Sequence, residues 1–209
     1  VVVTAGPTYE KIDPVRFIGN YSSGKMGLAI AEELAGRGAE VVLVCGPVNL
    51  KTCHPAIRRV DVESAAQMYE ATFSEFADSD VAILSAAVAD FTPKEKADHK
   101  IKRGKDDLLL ELSPTKDIAA ELGKMKNASQ LLVGFALETN DEEVNALSKM
   151  QRKNLDMIVL NSLNDKGAGF GVDTNKVTIM DKAGNRTVYE LKTKLEVAKD
   201  IVDQIASRL

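Results

Sequence analysis

Along the chain, solid apolar runs alternate with longer stretches in which apolar residues recur every three or four positions. The first run, Val1 to Thr4 closed by Ala5-Gly6, is β-branched and predicts a buried strand. Similar runs predict strands at Val41–Val44, Arg58–Val62, Asp80–Val88, Leu131–Ala136 and Met157–Leu160, the last with Asn161 at its tip. DLLLEL (107–112) is a further strand candidate. Helical spacing predicts helices over Lys25–Gly36 with a closing glycine, Ser64–Ala77 with Ser64 as cap, Thr115–Met125, Asp141–Lys153 and Thr193–Leu209. Residues 7–23, broken by Pro7 and Pro14, read as loop. Lys176–Asp181 and Arg186–Leu191 flank Lys182-Ala183-Gly184-Asn185 and read as a β-hairpin, about 175–191.

Strands that are apolar on both faces and alternate with helices predict a Rossmann-like three-layer αβα fold: a mostly parallel sheet with an appended C-terminal hairpin. The 209 residues are expected to form a single domain, with a flexible flap at about 91–106. The chain begins within its first strand, without Met or a leader, as expected of a piece of a longer polypeptide.

Charge narrows the function classes. Net charge is −4, which disfavours general nucleic-acid binding, so any anion site must be local. Cys45 and Cys53 form no C-x-x-C pair, and His54 and His99 lie far apart, so neither a zinc site nor a disulfide framework is expected. No apolar run reaches the ~20 residues of a membrane span. A soluble, cytoplasmic protein is expected.

In open α/β sheets ligands sit beyond the C-terminal strand ends. Four such ends carry candidate chemistry. GNYSSGKMG (19–27) resembles a Walker A loop, but Met26 stands where a metal-holding hydroxyl belongs, and more than a dozen residues separate it from the first strand. Ser22, Ser23 and Gly24 precede a helix; they read either as a capped helix start or as an anion-binding N-terminus. Ser85, Ala86 and Ala87 follow another strand; the alanines either pack or let a flat group approach the backbone. Asp90 either shapes a turn or receives a hydroxyl or metal. Lys94, Lys96, Lys100, Lys102, Arg103 and Lys105 form either a solvated loop or a flap closing over polyphosphate. Lys149 and Lys153 share a helix face and could pair with Glu142 or Glu143. Arg16 could be no more than half of a surface ion pair.

Together, TAGPTxExxDPVRxIxNxSSGKMG (4–27), AAVAD (86–90) with KIK (100–102), GFAxET (134–139) and KNLDxIxxN (153–161) resemble the bacterial phosphopantothenate–cysteine ligase family. Its members are usually fused behind a flavin-dependent decarboxylase domain. The resemblance implies a two-step reaction in coenzyme A biosynthesis. 4′-Phosphopantothenate and CTP give an acyl-cytidylate and pyrophosphate; L-cysteine then forms the amide and releases CMP. It implies Mg2+ in the first step, with FMN confined to the absent decarboxylase domain. It also implies a homodimer whose active site is shared across the interface.

Carried over by position, the resemblance makes Asn20, Lys100 and Arg16 catalytic, with Arg16 reaching the site from the neighbouring subunit. Ala86, Ala87 and Asp90 would join Arg16 and Asn20 at the phosphopantothenoyl group. The nucleotide would meet Ser22, Ser23, Gly24, Ser85, Ala86, Asp90, Lys100, Phe135, Lys149, Lys153 and the segment Lys116, Asp117, Ile118 and Ala119. Relatives often carry Pro at 116 and Lys at 103. Phe170 is a loop feature without an assigned role. The rival readings are an NAD(P)-dependent Rossmann oxidoreductase, against which the absence of G-x-G-x-x-G speaks, and a non-catalytic nucleotide-binding module.

Overall fold

The computed structural model describes residues 1–104, 107–138, 140–162, 167–169 and 171–209. In chain order its elements are β1 (Val2–Ala5), β2 (Tyr9–Lys11), β3 (Phe17–Gly19), α1 (Lys25–Gly36), β4 (Val41–Cys45), β5 (Ile57–Asp61), α2 (Ala65–Phe76), β6 (Val81–Leu84) and β7 (Phe91–Pro93). They continue with β8 (Leu112–Pro114), α3 (Ile118–Met125), β9 (Leu131–Glu138), α4 (Glu142–Arg152), β10 (Met157–Ser162), β11 (Thr174–Asn175), β12 (Val177–Asp181), β13 (Arg186–Val188), β14 (Lys192–Thr193) and α5 (Lys194–Ala206).

Eight strands form one sheet in the order β13-β12-β10-β9-β6-β1-β4-β5. The six from β10 to β5 are parallel, and β12 and β13 add antiparallel to the β10 edge. The C-terminal hairpin therefore extends the sheet, and it is shorter than expected, closing over 177–188.

Successive strand residues feed two cores, as the pleat requires. Val3, Leu43, Ile83, Val133 and Val159 pack under α1 and α5, and Val2, Val44, Ala82, Leu132 and Ile158 pack under α2, α3 and α4. The helix over β1 comes unusually close: a Cβ added at Gly27 would lie 2.6 Å from the Ala5 Cβ. Met26 lies in this core, which explains why no metal-binding hydroxyl is found there.

Caps set the helix starts. Ser64 and Gln67 form a capping box on α2, and Thr193 and Glu196 form one on α5. α3 starts later than the spacing predicted, because Asp117 accepts the Ala120 amide at 3.0 Å. α1 spans Lys25–Gly36 as the spacing predicts, and Gly38 is its closing glycine, with φ 95° and its amide donating to Ala35 O.

Four further expectations fail. The stretch 7–23 is not all loop, since β2 and β3 pair as a small hairpin with Tyr9 stacked on Phe17. DLLLEL is not a strand: only Leu112–Pro114 pairs, with β7, and Leu108, Leu109 and Leu110 are exposed. β7 in turn makes the first residues of the expected flap a strand. Finally, the sixth strand ends at Leu84, where the amides of Ala86 and Ala89 turn to the hydroxyls Thr4 Oγ1 and Thr8 Oγ1, and only an isolated parallel bridge between Pro7 and Ala87 continues the pairing.

No helix among the described residues is long and apolar enough to cross a membrane.

Candidate functional site

The chain builds outward from β1 to β4 and β5, then crosses back to β6 on the other side of β1. That reversal leaves a gap beyond the C-terminal ends of β1 and β6, where ligands bind in open α/β sheets. A crevice of about 640 Å³ lies there.

Its floor is a stitched pair of loops. Ala86 N donates to Thr4 Oγ1 at 3.1 Å, Ala87 N to Gly6 O at 2.9 Å, and Thr8 N to Ala87 O at 3.2 Å. Asn20 Nδ2 also donates to Ala87 O, at 2.9 Å. Two motifs 67 positions apart thus meet at one carbonyl, and Asn20, Ser85, Ala86, Ala87 and Asp90 all line the crevice.

One wall is the start of α1. The N-cap is Gly24, held left-handed at φ 76°, and no side chain caps the helix. The expected Ser22 or Ser23 cap is therefore not formed; Ser22 Oγ only accepts from Gly24 N, at 3.4 Å. Bulk is excluded here, since a Cβ on Gly24 would sit 3.0 Å from Val48 Cγ1. The uncapped amides, with the positive end of the helix dipole, front the crevice.

The opposite wall comes from β9, α3 and α4. Phe135 lines it beside Lys116, Asp117, Ile118 and Ala119. Lys149 Nζ donates to Phe135 O at 2.7 Å, and burial, reinforced by Lys153, lowers its ammonium pKa. Lys153 pairs with Asp117 at 2.8 Å. Burial alone would raise the Asp117 carboxyl, but Lys153 and the Ala120 amide bring it below the ordinary range. Neither lysine takes Glu143, which pairs with Arg186 instead. The Lys116 ammonium turns to the Tyr69 ring, 4.2 Å from its centroid, and to Glu70.

Arg16 and Lys100 are the expected site residues that do not line this crevice. Arg16 pairs with buried Asp13 at 2.6 Å and donates to Ile101 O at 2.5 Å, and Lys100 is exposed beside it. Phe170, Lys105 and Thr139 lie outside the described residues.

The crevice also gathers residues that sequence reasoning left out. Lys25 donates to Gly171 O at 3.0 Å and pairs with Asp173 at 2.6 Å. Buried Lys194 donates to Gly169 O and Val172 O; burial, then Lys25, lowers its pKa. Asn175 donates to Asn161 Oδ1 at 3.3 Å. Lys25, as the Lys of the Gly-Lys dipeptide, carried a signal; Lys194 and Asn175 lie too far along the chain to carry one.

Among the described residues, no three His, Cys, Asp or Glu side chains cluster as a metal site. Two carboxylates line the crevice, Asp90 and Asp117, and Asp117 is taken by Lys153. That donor set suits a magnesium ion that keeps its waters and rides on substrate phosphates.

The family model described as "DNA/pantothenate metabolism flavoprotein C-terminal domain" matches residues 1–209. A Bacillus subtilis protein named coenzyme A biosynthesis bifunctional protein CoaBC is 50% identical over 207 residues, covering 99% of this chain and 51% of that protein. A protein from an unknown prokaryotic organism, named cysteine/cysteine sulfinic acid decarboxylase, is 62% identical over 205 residues, covering 98% of this chain and 57% of that one. The chain thus spans about half the length of these relatives. A crystal structure of the C-terminal domain of CoaBC superposes with a TM-score of 0.82 at 45% identity, covering 98% of this chain and 92% of that one. The chain belongs to the family of the DNA/pantothenate metabolism flavoprotein C-terminal domain.

Proposed function

We propose that the chain is a phosphopantothenate–cysteine ligase of coenzyme A biosynthesis that uses CTP. The observation carrying this reading is the meeting of Asn20, the AAVAD segment, the open α1 start and the Phe135–Lys149–Lys153 wall in one crevice. A nucleoside triphosphate needs a base platform and dispersed positive charge; the carboxylate that supplies the acyl group needs a polar group beside a small-residue backbone.

In this reading cytidine lies against Phe135, with Lys149 and Lys153 holding phosphate oxygens and the α1 amides taking the far phosphates. The carboxylate of 4′-phosphopantothenate attacks the α-phosphorus, and pyrophosphate leaves. Asn20, its amide oriented by Ala87 O, steadies the resulting acyl-cytidylate. The amine of L-cysteine then attacks the acyl carbon; the C–O bond breaks, CMP departs, and the nitrogen loses a proton. Asp90 would hold the waters of a Mg2+ carried by the triphosphate, which would supply charge neutralisation in the first step. Arg16 and Lys100 complete the charge over the intermediate, with Arg16 delivered by a second subunit.

A homodimer fits the exposed apolar side chains Val15, Phe17, Phe91 and Leu112 on two small hairpins, β2–β3 and β7–β8, that pack on each other. A decarboxylase domain would complete the polypeptide, as the relatives' lengths suggest.

The test is incubation with 4′-phosphopantothenate, cysteine, magnesium and either CTP or ATP. Pyrophosphate and the amide product are expected with CTP; no pyrophosphate with either nucleotide refutes the reading. Carbon dioxide from cysteine alone would instead favour the decarboxylation named for the 62%-identical relative. Tight NADPH binding without CTP binding would favour an oxidoreductase, and CTP binding without turnover a non-catalytic module.

A further inference from the structure

Arg16 and the lysine-rich segment meet at one buried carboxylate that the reading above does not use. Asp13 has no exposed side-chain surface. Its Oδ1 accepts the amides of Val15 at 2.8 Å and Arg16 at 2.9 Å, which shapes the Asp-Pro-Val-Arg turn. Its Oδ2 does something a turn does not require. It accepts Arg16 Nε at 3.0 Å and Nη2 at 2.6 Å, and also the amide of Ile101, 88 positions away, at 3.1 Å. Arg16 Nη2 then reaches Ile101 O at 2.5 Å, so both peptide groups of the residue following Lys100 are held. Ala97 N, donating to Ile12 O at 3.0 Å, adds a second tie between the segments.

We propose that Asp13 is a positioning residue that joins Arg16 to the Lys100 segment of the same subunit, so that the two cations reach the neighbouring subunit's crevice as one unit. The inference rests on the catalytic reading of Arg16 and Lys100. A carboxylate is the group that can do this: it accepts four or more donors at once, and the Val15 and Arg16 amides on Oδ1 with the Arg16 guanidinium and the Ile101 amide on Oδ2 use that capacity. Burial alone would raise the Asp13 carboxyl, but the Val15 and Ile101 amides and Arg16 lower it to about 2, so it is ionised throughout the neutral range. Asn in its place keeps the shape and loses the charge and half of the acceptor capacity.

The experiment is a double-mutant cycle on pyrophosphate release. Asp13→Asn, Arg16→Ala and Lys100→Gln are measured singly, and Asp13→Asn is combined with each of the others. Asp13→Asn is expected to lower kcat about 10- to 100-fold with little change in the KM for CTP. In the Arg16→Ala and Lys100→Gln backgrounds its further effect should shrink below about threefold. The same loss in every background would overturn the proposal, since a turn that merely holds the fold acts independently of the two cations. Hydrogen exchange supplies a readout without activity: the Ile101 amide should exchange faster in folded Asp13→Asn protein, and unchanged protection would overturn the coupling. If Asp13→Asn does not fold, Asp13→Glu, which keeps the charge, goes through the same cycle. Wild-type rates in both Arg16→Ala and Lys100→Gln would sink the functional reading instead, and exchange at Ile101 would still decide the coupling.

Discussion

Replacing Lys149 by Met should separate binding from stability. The ammonium is half-buried on α4 and donates to Phe135 O at 2.7 Å. Two effects on stability oppose each other. A hydrogen bond from a charged donor is worth about 1.5–3 kcal/mol. Against it stands the desolvation of the ammonium, augmented by repulsion from Lys153, which lowers the pKa. Met keeps the stem's packing and removes both effects. The net change should stay within about 1 kcal/mol, or a Tm shift of about 2–4 °C for a chain of this size. Catalysis has no such offset. Losing one preorganised donor to a developing phosphate charge costs about 10²–10³ in kcat. The assay is pyrophosphate release with saturating CTP beside a thermal melt of the same protein. A Tm falling by more than about 8 °C with unchanged kinetics would show that Lys149 serves the fold and not the nucleotide. The pH dependence carries a sign. A lowered folded pKa means that the unfolded chain binds the extra proton between that value and the ordinary lysine range, so Lys149's contribution to stability grows as pH rises through that window. Activity should move the other way, falling earlier in alkali than an ordinary lysine would allow.

Other outcomes follow from the same geometry. Asp156, buried, accepts Lys126 Nζ at 2.6 Å, Leu132 N at 2.8 Å and Lys182, so Asp156→Ala should destabilise by about 3–5 kcal/mol in a denaturant titration. Burial would raise this carboxyl, yet its hydrogen bonds lower it; its stabilising effect is therefore full above the ordinary Asp pKa and lost as pH falls through the lowered folded value. Gly27→Ala places a methyl 2.6 Å from the Ala5 Cβ and should cost about 1–3 kcal/mol while moving the α1 start off the crevice, read as a raised KM for CTP. Mixing Arg16→Ala with Asn20→Ala protein should restore activity through hybrid dimers; no recovery despite demonstrated subunit exchange would count against a site shared between subunits.

The parallel sheet was legible because its strands are apolar on both faces, a pattern that few alternatives share. The same logic misfired at DLLLEL, where an apolar run lies exposed beside a strand only three residues long: a run predicts a strand only if a partner is there to pair with it. The β2–β3 hairpin was missed because Tyr-Glu-Lys and Phe-Ile-Gly are short and lack alternation. At the site, residues carried by contiguous motifs converged on the crevice, Asn20 and AAVAD most directly. Ser22 and Ser23 looked like caps by residue type, yet Gly24's left-handed backbone takes the cap position and leaves the amides open. Lys194 and Asn175 enter only through folding, from beyond the last parallel strand. So does the Asp13–Ile101 bond: nothing in either motif marks a partner 88 residues away.

In the proposed reaction the phosphopantothenate carboxylate becomes bonded to the α-phosphorus of CTP. Phosphopantothenate labelled with ¹⁸O in that carboxylate, turned over with CTP, magnesium and cysteine, tests this by mass spectrometry of the CMP. One ¹⁸O atom is expected in the CMP phosphate, left there when the amine takes the acyl group. CMP free of label, with the label in released pyrophosphate or inorganic phosphate, would contradict it.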